Sequence, residues 1–196
     1  MKKNILILFV VLTIGLLVGC GGNVQNEFLG EVPSIAKHYD NKIEAKEKAM
    51  EDCTDMAEAF KLEKEKKQLK KEKRAKIKEY VAANPFKPLP FQALPGTAYT
   101  VKEAAITEYG SLRLSVTIDK DIKNKYGGLE KRLFIYFKAV DSNGNEIQNT
   151  KNAATRLFGK ALKAGSQCDL SSPWPMRYME DFAKLVQITE QEYNGQ

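Results

Sequence analysis

The sequence contains few of the residues that usually carry out catalysis or bind metals. Among its 196 residues there are one histidine, three cysteines and one tryptophan. Because the single histidine, His38, lies in a stretch predicted to be a tether, we expect neither a histidine-based catalytic triad nor a zinc site built from several histidines. A P-loop, a dinucleotide-binding glycine motif and a nucleophile elbow are also absent from the sequence. We therefore predict no catalytic residues, no metal site and no cofactor, and we do not expect an enzyme.

The sequence also has no apolar run long enough to cross a membrane. Its longest run extends over 15 residues, from Ile5 to Gly19, whereas a transmembrane helix needs about 20. Lys2 and Lys3 precede this run, and a small residue ends it. A charged start, a short apolar segment and a small residue are together typical of an export signal.

The end of this run, Leu17-Val18-Gly19-Cys20, resembles the lipobox of bacterial lipoproteins. The resemblance implies that residues 1–19 are a signal peptide and that Cys20 becomes the mature N-terminus. Cys20 would then carry a thioether-linked diacylglycerol and a further amide-linked acyl chain such as palmitate. Two or more acyl chains anchor a protein stably to a membrane.

The lipobox resemblance therefore predicts where the protein is located. We expect it to be lipid-anchored to the bacterial cell envelope through Cys20, with its body facing the periplasm or the exterior. Gly21 occupies the position where many inner-membrane lipoproteins carry Asp, so the outer membrane is favoured in a Gram-negative cell. An exported protein rarely meets nucleic acid, so we predict no nucleic-acid partner.

Changes in composition divide the mature chain into four segments. A weakly patterned stretch containing Gly30 and Pro33 predicts a lipidated tether, and a stretch rich in Lys, Glu and Ala predicts a long helix. Four prolines then predict an extended hinge, and alternating apolar residues beyond it predict a β domain. The predicted boundaries are 20–40 for the tether, 41–83 for the charged helix, 84–96 for the hinge and 97–196 for the β domain.

The charged segment is predicted to be one continuous helix. Asn41 followed by Glu44 resembles a capping box, and Asn84-Pro85 supplies a stop signal. At 1.5 Å per residue such a helix would be roughly 60 Å long, enough to hold a domain away from a membrane.

The two halves of this predicted helix have opposite charge. Residues 40–58 contain seven acids and three lysines, whereas residues 61–79 contain ten bases and four acids. This order stabilises a helix through its macrodipole, and it also permits antiparallel self-association of the helix. Alternatively, the basic half binds anionic envelope polymer or lipid, at about 1 kcal/mol per basic residue close to the surface. The candidate contact residues are Lys66, Lys67, Lys70, Lys71, Lys73 and Arg74.

Apolar residues of the same segment form a short seam with heptad-like spacing. Its members are Ile43, Met50, Cys53, Ala57 and Phe60. The seam is too short for a coiled coil, which needs three or four heptads. It predicts instead that the first half of the helix packs on the β domain or on a partner helix.

Two cysteines remain besides Cys20. A disulfide between Cys53 and Cys168 would clamp the helix to the β domain and contribute about 4 to 5 kcal/mol in the chain-entropy model. The alternative is a free Cys53 thiol packed in the apolar seam.

The last hundred residues have the pattern of a small antiparallel β domain. Leu112 to Ile118 alternates apolar and polar residues, and Asn143-Gly144 is a strong turn signal. The strand Leu133 to Val140, this turn, the turn near Gly165 and a closing strand Ala183 to Thr189 resemble immunoglobulin-like domains of bacterial lipoproteins. The fold class predicted is therefore mainly β: a small immunoglobulin-like β-sandwich preceded by a long charged α-helix.

These features together predict a binding protein. We expect a non-catalytic binding or scaffolding module for another envelope component. The alternative is a structural envelope lipoprotein whose basic helix associates with anionic polymer or lipid.

Overall fold

The computed structural model describes residues 26–124 and 126–195. The signal peptide, the lipobox residues Leu17, Val18 and Gly19, and the lipidation site Cys20 lie outside the described residues. Among the helices of the described part, none is long and apolar enough to span a bilayer.

Seven strands form one mixed sheet in the order β1-β7-β4-β5-β6-β3-β2. The neighbouring pairs are antiparallel, except that β1 runs parallel to β7. The sheet and the segments between its strands are called the β domain below. The strands are β1 (Phe91–Gln92), β2 (Tyr99–Ile106), β3 (Leu112–Ile118), β4 (Arg132–Val140), β5 (Asn152–Leu157), β6 (Gln167–Ser172) and β7 (Lys184–Gln187).

The two ends of this sheet approach each other, so that it nearly closes. The backbone N–H of Leu89, just before β1, donates to the carbonyl of Ala104 in β2 at 2.7 Å. The side-chain amide of Gln187 in β7 donates to the hydroxyl of Tyr99 in β2 at 2.7 Å. Burial raises the pKa of this tyrosine. The predicted mainly β class, with helical structure N-terminal to the sheet, is confirmed.

The core lies on the inner face of this curved sheet. The alternating apolar residues of β3, from Leu112 to Ile118, are buried, as their period of two predicts. In β4, Ile135 and Phe137 are fully buried, whereas the side chain of Phe134 is 41% exposed on the outer face. The four-residue helix α3 (Glu190–Tyr193) covers part of that outer face, where Tyr193 contacts Tyr136 at 4.8 Å between ring centroids.

The charged segment forms two helices, so the prediction of one helix over 41–83 is wrong. Helix α1 spans Val32–Glu51 and helix α2 spans Met56–Ala83. Residues 52–55 form a turn because Asp55 caps α2: its carboxylate accepts a hydrogen bond from the Ala57 N–H at 2.9 Å. Helix α1 also begins within the segment predicted as a tether, with Pro33 in its first turn, where proline is well tolerated.

Helices α1 and α2 pack side by side and antiparallel as a helical hairpin, which replaces the predicted 60 Å spacer. Acidic residues of α1 face basic residues of α2: Lys73 Nζ lies 2.7 Å from Asp40. The reverse pair, Lys46 with Glu65, is 2.6 Å apart. The opposite charges of the two halves therefore form ion pairs with each other within one chain.

The helical hairpin docks on the β domain through apolar residues. Leu29, Val32, Ala36 and Ile77 are buried in the same cluster as the core of the sheet. The Asn26 side chain supports this contact, because its amide donates to the carbonyl of Phe182 at 2.7 Å. A short 3-10 helix, Met176–Tyr178, lies beneath α1.

The apolar seam predicted along a single helix is wrong for its residues after the turn. Ile43 is buried and Met50 is half-buried, but Ala57 is exposed and Phe60 is 70% exposed. Because the chain reverses at residues 52–55, the residues after the turn no longer continue the face that contains Ile43. Cys53 lies in the turn itself and is half-buried.

Candidate functional site

Most of the predicted anion-contacting residues form ion pairs with carboxylates of the helical hairpin. Four of the six lie in ion pairs, whereas Lys71 and Arg74 make none with the described residues. A hydrogen bond from Lys66 to Glu63 raises the pKa of that lysine, so this contact favours its charged form. The paired residues are Lys66 and Lys67 with Glu63, Lys70 with Glu47, and Lys73 with Asp40.

A junction groove of about 420 Å³ lies where the helical hairpin meets the β domain. Lys70, Lys73 and Arg74 line it together with the carboxylates of Asp40 and Glu47, which gives a net charge of +1. Two of these three cations form ion pairs with the carboxylates of the groove, Lys70 with Glu47 and Lys73 with Asp40. Trp174 forms part of the wall and is only 7% exposed.

The two cysteines lie on different elements, and both are free thiols in this structure. The Cys53 thiol donates to the carbonyl of Asp55 at 3.1 Å within the interhelical turn. That turn lies about 22 Å along α1 from Ala36, where the helix contacts the core. Of the two alternatives that the sequence left open, the structure shows Cys53 as a free thiol and no disulfide clamp between Cys53 and Cys168.

A cleft lies in the sheet itself, between β5 and β6. These strands pair through a single residue pair, Thr155 with Ser171. Beyond that pair β5 continues through Arg156 and Leu157 along β4, and β6 remains paired with β3 back to Gln167. The two strands therefore diverge and leave an opening of about 690 Å³, which we call the cleft.

The backbone of β6 presents hydrogen-bonding groups to the cleft. The Ile118 N–H donates to the Ser166 carbonyl at 2.8 Å, which makes these residues a hydrogen-bonded pair of the β3–β6 ladder. Hydrogen-bonded and non-bonded pairs alternate in an antiparallel ladder. Gln167 and Asp169 therefore occupy non-bonded positions, with their N–H and C=O groups directed away from β3 and into the cleft.

The backbone of β5 also presents hydrogen-bonding groups to the cleft, from the side opposite β6. The Phe158 N–H donates to the Lys131 carbonyl at 2.7 Å, so the next pair of the β4–β5 ladder, Arg132 with Leu157, is non-bonded. The backbone groups of Leu157 are directed away from β4, and this residue is 64% exposed. The cleft is thus bordered by two strand edges that are not paired with each other.

The side chains that line the cleft are mainly polar and include two cations. Lys102 reaches it from β2, where a β-bulge between Val101 and Glu103 shifts the register at this position. Arg156 lines it from β5, and its guanidinium lies 5.8 Å from the ring centroid of Phe158. Neither Lys102 nor Arg156 forms an ion pair with any residue that the structure describes.

One carboxylate and one thiol also line the cleft. Asp169 accepts a hydrogen bond from the Ser115 hydroxyl at 2.7 Å. Burial raises the pKa of the neighbouring Cys168 thiol, and the charge of Asp169 raises it further. The thiol therefore stays protonated near neutral pH, which makes it a poor nucleophile. Within the described residues, no three His, Cys, Asp or Glu side chains are placed to hold a metal ion.

Sequence reasoning missed this cleft. It singled out Cys168 only as a disulfide candidate and assigned no role to Lys102 or Arg156. A bulge and a split between neighbouring strands depend on which strands pair, and the alternation of residues along one strand does not determine that. The one available signal was the weak pattern after Leu157, where Gly159 interrupts the apolar residues.

Comparison with protein-family models, with curated proteins and with solved structures found no match to this chain.

Proposed function

We propose that this chain is a lipid-anchored protein of the bacterial cell envelope that binds another envelope component without catalysing a reaction. The observation that carries the proposal is the cleft, in which two strand edges diverge and leave backbone groups free for a ligand. The lipobox sequence that ends at Cys20 supports the anchor and the location.

The lining of the cleft supports binding over catalysis. Its thiol, Cys168, has a raised pKa, and its carboxylate, Asp169, is held by a serine hydroxyl. Its cations, Lys102 and Arg156, are suited to recognising an anionic group. The nearly closed sheet gives these side chains a rigid support, as a binding scaffold requires. An immunoglobulin-like β-sandwich, as the sequence suggests, would suit this function, because many cell-surface domains have that architecture.

A structural role for the basic helix is the alternative proposal. Lys71 and Arg74 support it, since both are exposed and have no ion pair among the described residues. Because four of the six predicted contact residues pair within the helical hairpin, the cleft is the stronger candidate.

Photo-cross-linking in living cells tests the proposed function. A photoreactive amino acid in place of Gln167, in the cleft, is expected to give a discrete adduct with one envelope component. The matched control places the same amino acid at Lys87, which is exposed and outside the cleft. Adducts are identified by mass spectrometry after purification of the chain.

The anchor provides a second control in the same experiment. Cys20→Ser removes the thiol that would carry the lipid, so we expect this variant to leave the membrane fraction and to lose the Gln167 adduct. The binding proposal is wrong if position 167 gives no adduct or the same mixture as position 87. The alternative gains support if a discrete adduct forms only from position 71.

A further inference from the structure

We propose that the cleft binds an extended, acidic peptide segment of a partner protein, which adds as a strand to the free edge of β6. The inference rests on the proposed binding function and names the chemistry of the ligand. Addition of a strand to an exposed sheet edge gives affinity through main-chain hydrogen bonds and specificity through alternate side chains.

The free edge of β6 has the spacing that a peptide strand needs. Gln167 and Asp169 are two residues apart, and each directs one N–H and one C=O into the cleft, as the β3–β6 ladder requires. A peptide strand at about 4.8 Å from β6 would pair with these four groups over roughly four residues. The divergence of β5 after Thr155 leaves room for it on that side.

The charges of the cleft select an acidic segment. Lys102 and Arg156 contribute two positive charges and Asp169 contributes one negative charge, so the lining has a net charge of +1. The Asp169 carboxylate is already hydrogen-bonded to Ser115, whereas the two cations have no carboxylate partner among the described residues. A glutamate or aspartate of the peptide would supply a carboxylate partner for these cations.

The positions of Arg156 and Phe158 set the spacing of the acidic residues. The half-buried ring of Phe158 lines the cleft beside Arg156. Because these two residues are two apart along the chain, their side chains lie on the same side of the sheet, and alternate residues of an added strand would face them. The expected ligand is therefore a segment with acidic residues at every second position, one of which would lie against Arg156.

The probe for this proposal is a capped hexapeptide of alternating glutamate and valine. The protein is the full mature chain with Cys53→Ser, so that Cys168 is the reporting thiol of the cleft. We expect the peptide to slow the alkylation of Cys168 in a saturable manner. A lysine–valine peptide of the same length is expected to give no protection. A glutamate–valine peptide with N-methylated backbone amides is also expected to give none, because it cannot pair with a strand.

Two variants and their matched controls locate the binding. Arg156→Glu is expected to weaken binding of the glutamate peptide at least about tenfold, whereas Lys87→Glu makes the same change of charge outside the cleft and leaves binding unchanged. Gln167→Pro removes an N–H directed into the cleft and is expected to weaken binding, whereas Gln167→Ala keeps that N–H. Proline is tolerated at the first residue of a strand.

Three results would overturn the proposal: no protection by the glutamate peptide, equal protection by the N-methylated or lysine peptide, or binding that Arg156→Glu leaves unchanged. The proposed function is tested separately by the Gln167 cross-link in cells. A discrete adduct in cells together with no peptide binding would keep the binding function and reject the acidic strand as its ligand.

Discussion

Phe137→Ala is expected to lower the free energy of unfolding by about 3 to 5 kcal/mol, the largest effect of any single truncation considered. Phe137 is fully buried on the inner face of β4 and lies in the core cluster. Its removal leaves a cavity among side chains that the nearly closed sheet holds in place. Urea unfolding followed by the fluorescence of Trp174, the single tryptophan, measures this loss.

A neighbouring phenylalanine serves as the control. Phe134 faces outward on the same strand, is 41% exposed and stacks on Tyr136 with 6.1 Å between ring centroids. We expect Phe134→Ala to cost roughly 1 kcal/mol, and Phe137→Leu to cost less than Phe137→Ala because it leaves a smaller cavity. If Phe134→Ala lowered the free energy of unfolding more than Phe137→Ala, β4 would be paired one residue out of register.

Ile77→Ala is expected to lower the free energy of unfolding by about 2 to 4 kcal/mol. Ile77 lies in α2, is 2% exposed and belongs to the same cluster as the core of the sheet. In a projecting spacer this side chain would be exposed, and its truncation would cost almost nothing. The same urea experiment therefore distinguishes a docked helical hairpin from a spacer.

Phe60→Ala is the control for this prediction. It removes a larger side chain from the same helix, but Phe60 is 70% exposed, so we expect a change within about 0.5 kcal/mol. Equal losses for the two variants, or a greater loss for Phe60→Ala, would contradict the docking of α2 and support the apolar seam predicted from the sequence.

The strands were predictable because their signal is local. The period of two from Leu112 to Ile118 identifies β3 and the face it buries, and the structure agrees. The order of the strands and the near closure of the sheet were not predictable. They depend on long-range hydrogen bonds, such as that from Leu89 to Ala104.

The amino-acid composition of the charged segment did not indicate a helical hairpin. Residues 41–83 contain neither Gly nor Pro, so nothing signalled a break except three residues that favour helix caps, Asp52, Thr54 and Asp55, close together in the chain. Asp55 acts as the cap of α2, and the turn lets the acidic and basic halves pair. The charge asymmetry was visible in the sequence, but it was equally consistent with one helix stabilised by its dipole.

The candidate site was the least predictable part. Lys102 and Arg156 come from strands that are not neighbours in the sheet, and a bulge shifts the register at the first of them. The charged residues that the sequence does emphasise, such as Lys66 and Lys73, form ion pairs that stabilise the helical hairpin.

The alkylation rate of Cys168 in intact cell envelopes tests most directly whether the cleft is a binding site. In a Cys53→Ser variant, Cys168 is the one free thiol among the described residues, and it lines the cleft. The control is a chain with Lys87→Cys, Cys53→Ser and Cys168→Ser, whose thiol at position 87 lies outside the cleft. Its alkylation rate corrects for the general access of the reagent to the envelope. Relative to this control, we expect Cys168 to react several-fold more slowly in envelopes than in the purified protein, because the partner covers it. Equal relative rates in the two preparations would contradict an occupied cleft and with it the proposed function.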